Sequence, residues 1–329
     1  MIANKTPVVM ICYSRAATLK KSLGHLAQCE GVEGRAIRLY LDAPYRDEDR
    51  VKCEEAYGAA CEMRDTILPN LEVIRRSSNF GVPGNLMSAV GENLDRYGRI
   101  IFFEDDVCVS RTFLQYLDEG LEFYKDDKRI FCINGYRKSF LPAPCHYPHD
   151  VDLTLRNEAW GFGIWKDRWE KIDFEMKDWY ADKADGGFMS RLDARGLEVK
   201  DLVEAQISGR IHTWDVQCTY HMAKYGLYAV EPRHSLTKNI GFGAEGVHCK
   251  KSTVDARKHK YYDFRPKLVH GLEPCGEIVE KLRFCCYRRN LLDRVVRKVK
   301  SLLLWLQPDC EEPLPVDDKG GGGCDIILI

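Results

Sequence analysis

The chain predicts an open α/β fold with a mostly parallel central sheet flanked by helices. Two observations carry this: apolar strand-like runs alternate with helical periodicity four times within its first ~110 residues, and a polar cluster closes each run. The run "TPVVMICYS" (6–14), bounded by Pro7 and Ser14, suits a strand buried on both faces. Leu19, Leu23 and Leu26 then recur at helical spacing in "AATLKKSLGHLAQC". "AIRLYLDA" (36–43) reads as a second strand ending at Asp42, and a charged, alanine-rich helix covers about 47–68. "LEVIRRS" (71–77) is the third strand, "NLMSAVGENLDRYG" (85–98) the next helix and "RIIFFEDDV" (99–107) the fourth strand. Sheets of this kind bind ligands at the carboxyl ends of their strands. Ser14–Arg15, Asp42, Ser77–Asn79 and Glu104–Asp106 all fall there, so one rim is expected to hold a site.

Size and charge narrow the class. With 329 residues, 45% hydrophobic and 30% charged, the chain suits one large domain or two modest ones with a sizeable core. A formal net charge of −1 argues against a nucleic-acid-binding protein. That balance conceals a basic segment: residues 277–306 carry +5, leaving −6 for the remainder. The 14 cysteines are scattered without a C-x-x-C pair, so no zinc site of recognisable spacing is expected. The start "MIANKTPVVMICYS" lacks the pattern of a secretory signal, and no run approaches the ~18 apolar residues that span a bilayer. A cytoplasmic location with mostly reduced thiols is the resulting expectation.

The chemistry concentrates in "IIFFEDDVCVS" (100–110), where an apolar strand runs straight into Glu104, Asp105 and Asp106. Carboxylates at a strand end suit a hard divalent cation, Mn²⁺ or Mg²⁺, with phosphate oxygens of a substrate completing the shell. A solvated strand end with two acids opening the next turn is the plainer reading; placement on the ligand-binding rim favours the metal. Arg15, where a helix begins, suits an anion or a base-plus-ribose group, or else caps a surface loop. Asp42 reads as an acceptor for a nucleobase or ribose, or equally as an Asx turn. "SSNFGVPGN" (77–85) reads as a loop whose glycines let backbone approach a ligand, bringing Asn79 and Asn85 with it. In "HTWDVQ" (212–217), Asp215 beside Trp214 is either a general base or a helix-opening Asp next to a core Trp. Trp160 in "AWGFGIW" (159–165) offers a flat apolar platform for a sugar face, although most Trp residues are core. "NIGFGAEGVHC" (239–249) reads as a lid whose His248 would meet a phosphate or a metal, although most single histidines do neither.

Beyond about residue 130 the pattern is irregular, with "FCINGY" as one more strand. Residues 251–275 read as a charged, aromatic linker and 276–306 as a basic amphipathic helix. That helix suits an anionic membrane surface, or packs back onto the domain. The Pro-, Gly- and acid-rich 307–329 is expected to be disordered.

Taken in order, "VVMICYSR", "YLDAP", "NFGVPGN", "FFEDD", "WGFGIW", "WD" and "NIGFGAEGVH" resemble a GT-A type glycosyltransferase, over about residues 7–250. "FFEDDVCVS" resembles the D-x-D-type metal motif of that fold. The order also resembles bacterial family-2-like sugar transferases and, in detail, the Golgi-type N-acetylglucosaminyltransferase that begins complex N-glycan branching. The resemblance implies a GT-A catalytic domain over 1–250, with a nucleotide-sugar half (1–130) and an acceptor half (131–250), followed by a C-terminal helical extension. It implies that Arg15 and Asp42 contact base and ribose, Glu104 holds the sugar, and Asp105 meets ribose or sugar hydroxyls. Asp106 would be the metal ligand, usually of manganese, and Asp215 the catalytic base, with Trp214 shaping the acceptor pocket. Ser235 and the 239–248 loop with His248 would cover the diphosphate. Val216–Gln217 replace a further acidic–aromatic pair, so acceptor identity does not carry over.

The implied reaction is direct, inverting displacement of a UDP-sugar, GlcNAc or a related hexose, by a hydroxyl of a glycan or lipid-linked acceptor. Two rivals are a sugar-nucleotide nucleotidyltransferase and a non-catalytic carbohydrate-binding protein on the same fold. The first would show a basic Gly-rich loop after strand one, which "CYSRAATL" lacks. The second would be free to lose the acidic triplet or the Trp–Asp pair, and both are present.

Overall fold

The computed structural model describes residues 5–139, 141–241 and 260–285, with Cys285 described by its backbone alone. Its strands are β1 (Val8–Cys12), β2 (Ile37–Leu41), β3 (Leu71–Arg75), β4 (Arg99–Glu104), β5 (Val107–Val109), β6 (Ile130–Asn134), β7 (Val151–Thr154), β8 (Phe162–Trp165), β9 (Tyr228–Pro232) and β10 (Thr237–Asn239). The helices are α1 (Ala16–Ala27), α2 (Arg50–Thr66), α3 (Gly81–Tyr97), α4 (Phe113–Phe123), α5 (Lys166–Trp169), α6 (Trp179–Asp182), α7 (Gly186–Ala194), α8 (Val199–Ile207), α9 (Asp215–Tyr225) and α10 (Gly276–Cys285). All four expected N-terminal strands are present, and "FCINGY" supplies β6.

Eight strands form one sheet in the order β3-β2-β1-β4-β8-β6-β9-β7, and β10 pairs with β5 in a separate ribbon. β1, β2, β3 and β4 are mutually parallel. β8 is antiparallel to both β4 and β6, which turns β6 and β9 back into the direction of β4. The mostly parallel central sheet flanked by helices is therefore as expected, and both halves of the chain contribute to it.

Alternation along the strands sorts the core into two layers. Val8, Met10 and Cys12 of β1 join a cluster with leucines of α1, small residues of α2 and Phe113, Leu117 and Leu121 of α4. Val9 and Ile11 join the opposite cluster, with Leu86 and Val90 of α3 and Cys218 and Met222 of α9. Helices α6–α8 add an outer layer: Trp179, Phe188, Leu192 and Val203 pack on Val216, Tyr220 and Ala223 of α9.

Three expectations about organisation change. The loop expected through Asn85 is helix from Gly81 onward. Pro83 sits in the first turn, where its missing N–H leaves no bond unmade, and Gly81 enters the helix at φ +68°. The described part of the expected linker, 260–275, is packed against the domain. Tyr261, Tyr262 and Leu272 are buried, Thr112 Oγ1 donates to the Phe264 carbonyl at 2.7 Å, and Tyr124 Oη donates to the Val269 carbonyl at 2.7 Å. Its aromatic residues outweigh its charges. The described start of the basic helix, α10, also docks on the domain. Ile278 and Leu282 are buried, the latter beside Leu141 and Leu155, and Leu197 N donates to Arg283 O at 3.0 Å. Residues 286–306 and the tail 307–329 lie outside the described residues.

Among the described residues no helix is long and apolar enough to cross a membrane. Eight described cysteines are free thiols and Cys145 is disulfide-bonded.

One buried titratable group makes acid stability testable. The His221 ring lies between Phe131 and Tyr225. Burial, reinforced by Lys171 and Lys224, lowers its pKa to about 4. The unfolded chain then binds the extra proton first, so His221 contributes stability at pH above ~6.5 that is lost as pH falls toward ~4. Urea midpoints measured across that window should fall less steeply for His221→Phe than for the wild type.

Candidate active site

Strand pairing assembles the site. β1 is in register with β4 at Ile11 and Glu104 and with β2 at Cys12 and Leu41, so Asp42, Cys12 and Glu104 reach the carboxyl edge side by side. β4 ends at Glu104, Asp105 and Asp106 form the turn, and β5 leaves it. Arg15 follows β1 and immediately precedes α1.

Arg15 bridges the acids. Its Nη1 donates to Asp106 Oδ2 at 2.7 Å, and its Nη2 to Asp105 Oδ1. Asp105 and Asp106 are both buried, where unpaired carboxylates would be strongly disfavoured. Burial raises Asp105 to about 6; Arg15 opposes the rise, Asp106 adds to it, and the neighbouring Cys12 thiol lowers it a little. Burial also keeps that thiol protonated. Glu104 lies well above the usual carboxylate range, through burial first and then repulsion from Asp106 and Asp105, with Asp215 adding a smaller push. Asp215 is thus near enough to the triplet to act on it electrostatically.

The β5–β10 ribbon closes over Asp106 from the other side. Asn239 pairs with Val107, and its Nδ2 donates to Asp106 Oδ1 at 3.1 Å. Ile240 N donates to the Asp106 carbonyl at 2.7 Å, and Gly241 N donates to Asn239 Oδ1 at 2.7 Å. A Cβ on Gly241 would fall on the Asp106 carboxylate, with Arg15 also in contact. Only glycine allows the backbone this close. The described start of the expected lid therefore clasps the acidic turn. Asn239, Gly241 and Cys12 were not singled out in the sequence. The contact depends on a strand pairing more than a hundred residues apart, and no local pattern marks it.

The remaining candidates divide between the rim and its supports. Asp215 opens α9 and is half-buried. Trp214 is 4% exposed; its indole stacks on Phe162 at 5.6 Å and meets Phe102 edge-on at 6.1 Å. The core reading of that Trp therefore prevails over an acceptor-facing one: it anchors the start of α9. Asp42 Oδ1 accepts from Ala43 N at 3.0 Å and Phe80 N at 2.8 Å, and Asn79 Nδ2 donates to the Ala43 carbonyl at 2.6 Å. Both residues tie β2 to the loop before α3, and burial raises the Asp42 pKa. Asn85 is buried; it accepts from Arg76 Nε at 3.0 Å and donates to Tyr40 O at 3.2 Å. Its amide is committed to the fold. Ser235 Oγ accepts from Arg137 N at 3.1 Å and donates to the Thr237 carbonyl at 2.8 Å, shaping the approach to β10. Trp160 is partly buried against Tyr136, with ring centroids 4.5 Å apart. His248 lies outside the described residues.

The donor set suits a hard divalent cation, being carboxylate oxygen throughout. Asp105 Oδ2 is buried without a hydrogen-bond partner among the described residues. No group of three or more His, Cys, Asp or Glu among the described residues forms a ready metal cluster. A cation at this turn would meet only one or two protein oxygens, those of Asp105 and Asp106, with the rest of its shell coming from water or a ligand.

Fold and rim together define an α/β domain with a carboxylate-rich site at the strand ends. No protein-family model matches the chain, and no curated protein does. Among solved structures it resembles S. aureus TarS 1-349, at 15% identity over 49% of this chain and 47% of that one, with a TM-score of 0.32. It also resembles TarS 1-349 in complex with UDP-GlcNAc, at 15% identity over 40% and 33% of the two chains, with a TM-score of 0.28. Galactosyltransferase LgtC in complex with donor and acceptor sugar analogs is 12% identical over 88% of this chain and 99% of that one, with a TM-score of 0.37. The chain spans less than half the length of the TarS structures it matches.

The placement of Trp214 can be checked by stability alone. Trp214→Ala should cost roughly 3–5 kcal/mol in urea unfolding, whereas Trp214→Phe should retain most of the stability. An indole facing a ligand would leave the midpoint unmoved.

Proposed function

We propose that the chain is a metal-dependent glycosyltransferase, moving a hexose from a UDP-sugar to a hydroxyl of a glycan or lipid-linked acceptor. The observation that carries the reading is the convergence of Arg15, Asp42, the acidic turn and Asp215 on one rim, with Asp215 acting electrostatically on Glu104. In this reading the rim would supply both halves of a displacement: groups to hold a diphosphate leaving group, and a separate carboxylate to receive a proton.

In this reading Asp106, with Asp105 behind it, would hold Mn²⁺ or Mg²⁺ together with diphosphate oxygens. When bound, the ion neutralises the charge that builds on the leaving diphosphate. Arg15 lies in contact with the same acids and can exchange from them onto a phosphate oxygen, keeping positive charge at the leaving group. Asp42 and Asn79 shape the floor for base and ribose. Glu104, its pKa raised by burial and then by Asp106 and Asp105, would meet a sugar hydroxyl, with Trp160 flanking that space. Asp215 takes the proton from the acceptor hydroxyl as it attacks the anomeric carbon. A single displacement inverts configuration and needs no covalent intermediate. The 239–248 segment, already held on Asp106 at its start, would exclude water that otherwise hydrolyses the donor. Contact of residues 286–306 with an anionic membrane surface would suit a lipid-linked acceptor.

Release of UDP from UDP-sugars with manganese present, followed with and without acceptor, tests the reading. Asp106→Ala should abolish metal-dependent turnover, and Asp215→Asn should lower kcat by roughly 10²–10⁴-fold with little change in donor KM. Glu104→Gln should chiefly alter the preference among donor sugars. Pyrophosphate release would point to a nucleotidyltransferase, and unchanged turnover in both Asp106→Ala and Asp215→Asn would remove the site assignment.

A further inference from the structure

A cavity lies on the opposite edge of the sheet from the acidic turn. It measures about 360 Å³ and is lined by Lys128, Asp167, Arg168, Lys171, His221 and Tyr225 among others. Topology fixes its side. Lys128 lies two residues before the start of β6, while Asp167, Arg168 and Lys171 follow the carboxyl end of antiparallel β8. Both places lie at the amino edge of the parallel strands. His221 and Tyr225 come from the last turns of α9, whose first residue is Asp215. One helix thus reaches from the rim to this cavity, about 16 Å at 1.5 Å per residue.

The chemistry of the lining is specific. Three cations face one carboxylate, and that carboxylate is already divided: Asp167 Oδ2 pairs with Lys128 at 3.0 Å and Oδ1 with Arg168 at 2.5 Å. Lys171 is exposed and makes no ion pair among the described residues. Arg168 is fixed in place. It is 6% exposed, its guanidinium lies 4.5 Å over the Trp165 ring, and Nη2 donates to the Lys125 carbonyl at 2.6 Å. Its Nε has no hydrogen-bond partner among the described residues. The His221 and Tyr225 rings, 4.8 Å apart, form an aromatic wall; His221 is buried and Tyr225 is 60% exposed. The volume falls within the ~300–1,000 Å³ range of small-molecule sites.

We propose that this cavity binds a small organic anion, a phosphate or carboxylate carried on a planar or apolar body. The anionic group meets Lys171 and Lys128, and the buried Arg168 behind them adds positive charge that the single Asp167 carboxylate does not cancel. The body lies against His221 and Tyr225. A bare inorganic anion would leave the aromatic wall unused, and a cation would be repelled by the lining. The site is separate from the rim and uses none of the groups assigned to sugar transfer.

Phenyl phosphate is a suitable probe for the full-length chain, by calorimetry together with the imidazole resonances of His221. Saturable binding that moves those resonances is expected. Lys171→Glu, an exposed change that should leave the melting temperature unaltered, should weaken it about tenfold or more. Tyr225→Ala should weaken phenyl phosphate but not inorganic phosphate, and Asp106→Ala should leave binding here intact. Absence of saturable binding at millimolar probe, or equal affinity in Lys171→Glu, would overturn the site. Equal affinity for phenyl phosphate and inorganic phosphate would overturn the assigned ligand class. Binding lost in Asp106→Ala, with His221 unmoved, would place the probe on the rim and overturn the proposal as well.

Discussion

The pairing of Arg15 with Asp105 and Asp106 is the interaction on which the rim depends. Two like charges 4 Å apart repel by about 4 kcal/mol at an effective dielectric of ~20, and here three carboxylates follow one another at the end of an apolar strand. Without a cation the turn would need to open toward water or take up protons. The guanidinium can span two carboxylates because it is planar and forked. Its position comes from the short connection between β1 and α1, so the first strand and helix of the chain serve the acids of the fourth strand. Asp106 then organises the opposite wall, accepting from Asn239 through its side chain and from Ile240 through its carbonyl.

Several polar residues near the rim act as supports. Asn85 joins Arg76 to the backbone of β2, Ser235 sets the path into β10, and Trp214 seats the first turn of α9 in the core. The hydrogen bonds that Asn85 and Ser235 make go to neighbouring protein groups. Their contribution is placement: the loop before α3, the ribbon over Asp106 and the position of Asp215 each rest on one of them. Helix α9 also couples two edges of the sheet, with a carboxylate at one end and a histidine–tyrosine wall facing a basic cavity at the other.

Much of the first half of the fold was legible along the chain. Its strands β1 and β4 are apolar runs buried on both faces, and its helices repeat at 3–4 residues. The acidic turn was legible too, because a strand-end position follows from the strand itself. The boundary at Gly81 was less so: two glycines and a proline look like a loop, although proline costs nothing in a first helical turn. The packed 260–275 strap was hidden by its charges, since which of its aromatics find a surface depends on the domain beneath.

The sequence by itself determined the layer architecture and the arrival of Arg15, Asp42 and Glu104–Asp106 at one edge of the sheet. Local periodicity and strand ends are properties of neighbouring residues, so a one-dimensional reading reaches them. Only the tertiary structure decided that Arg15 neutralises Asp105 and Asp106, that Asn239 and Gly241 close over Asp106, and that Trp214 faces the core. It alone placed Lys128, Arg168, Lys171 and His221 around one cavity. Each of these depends on strand order and on contacts across tens to more than a hundred residues, where pairing energy and exclusion of water, not local pattern, choose the partner.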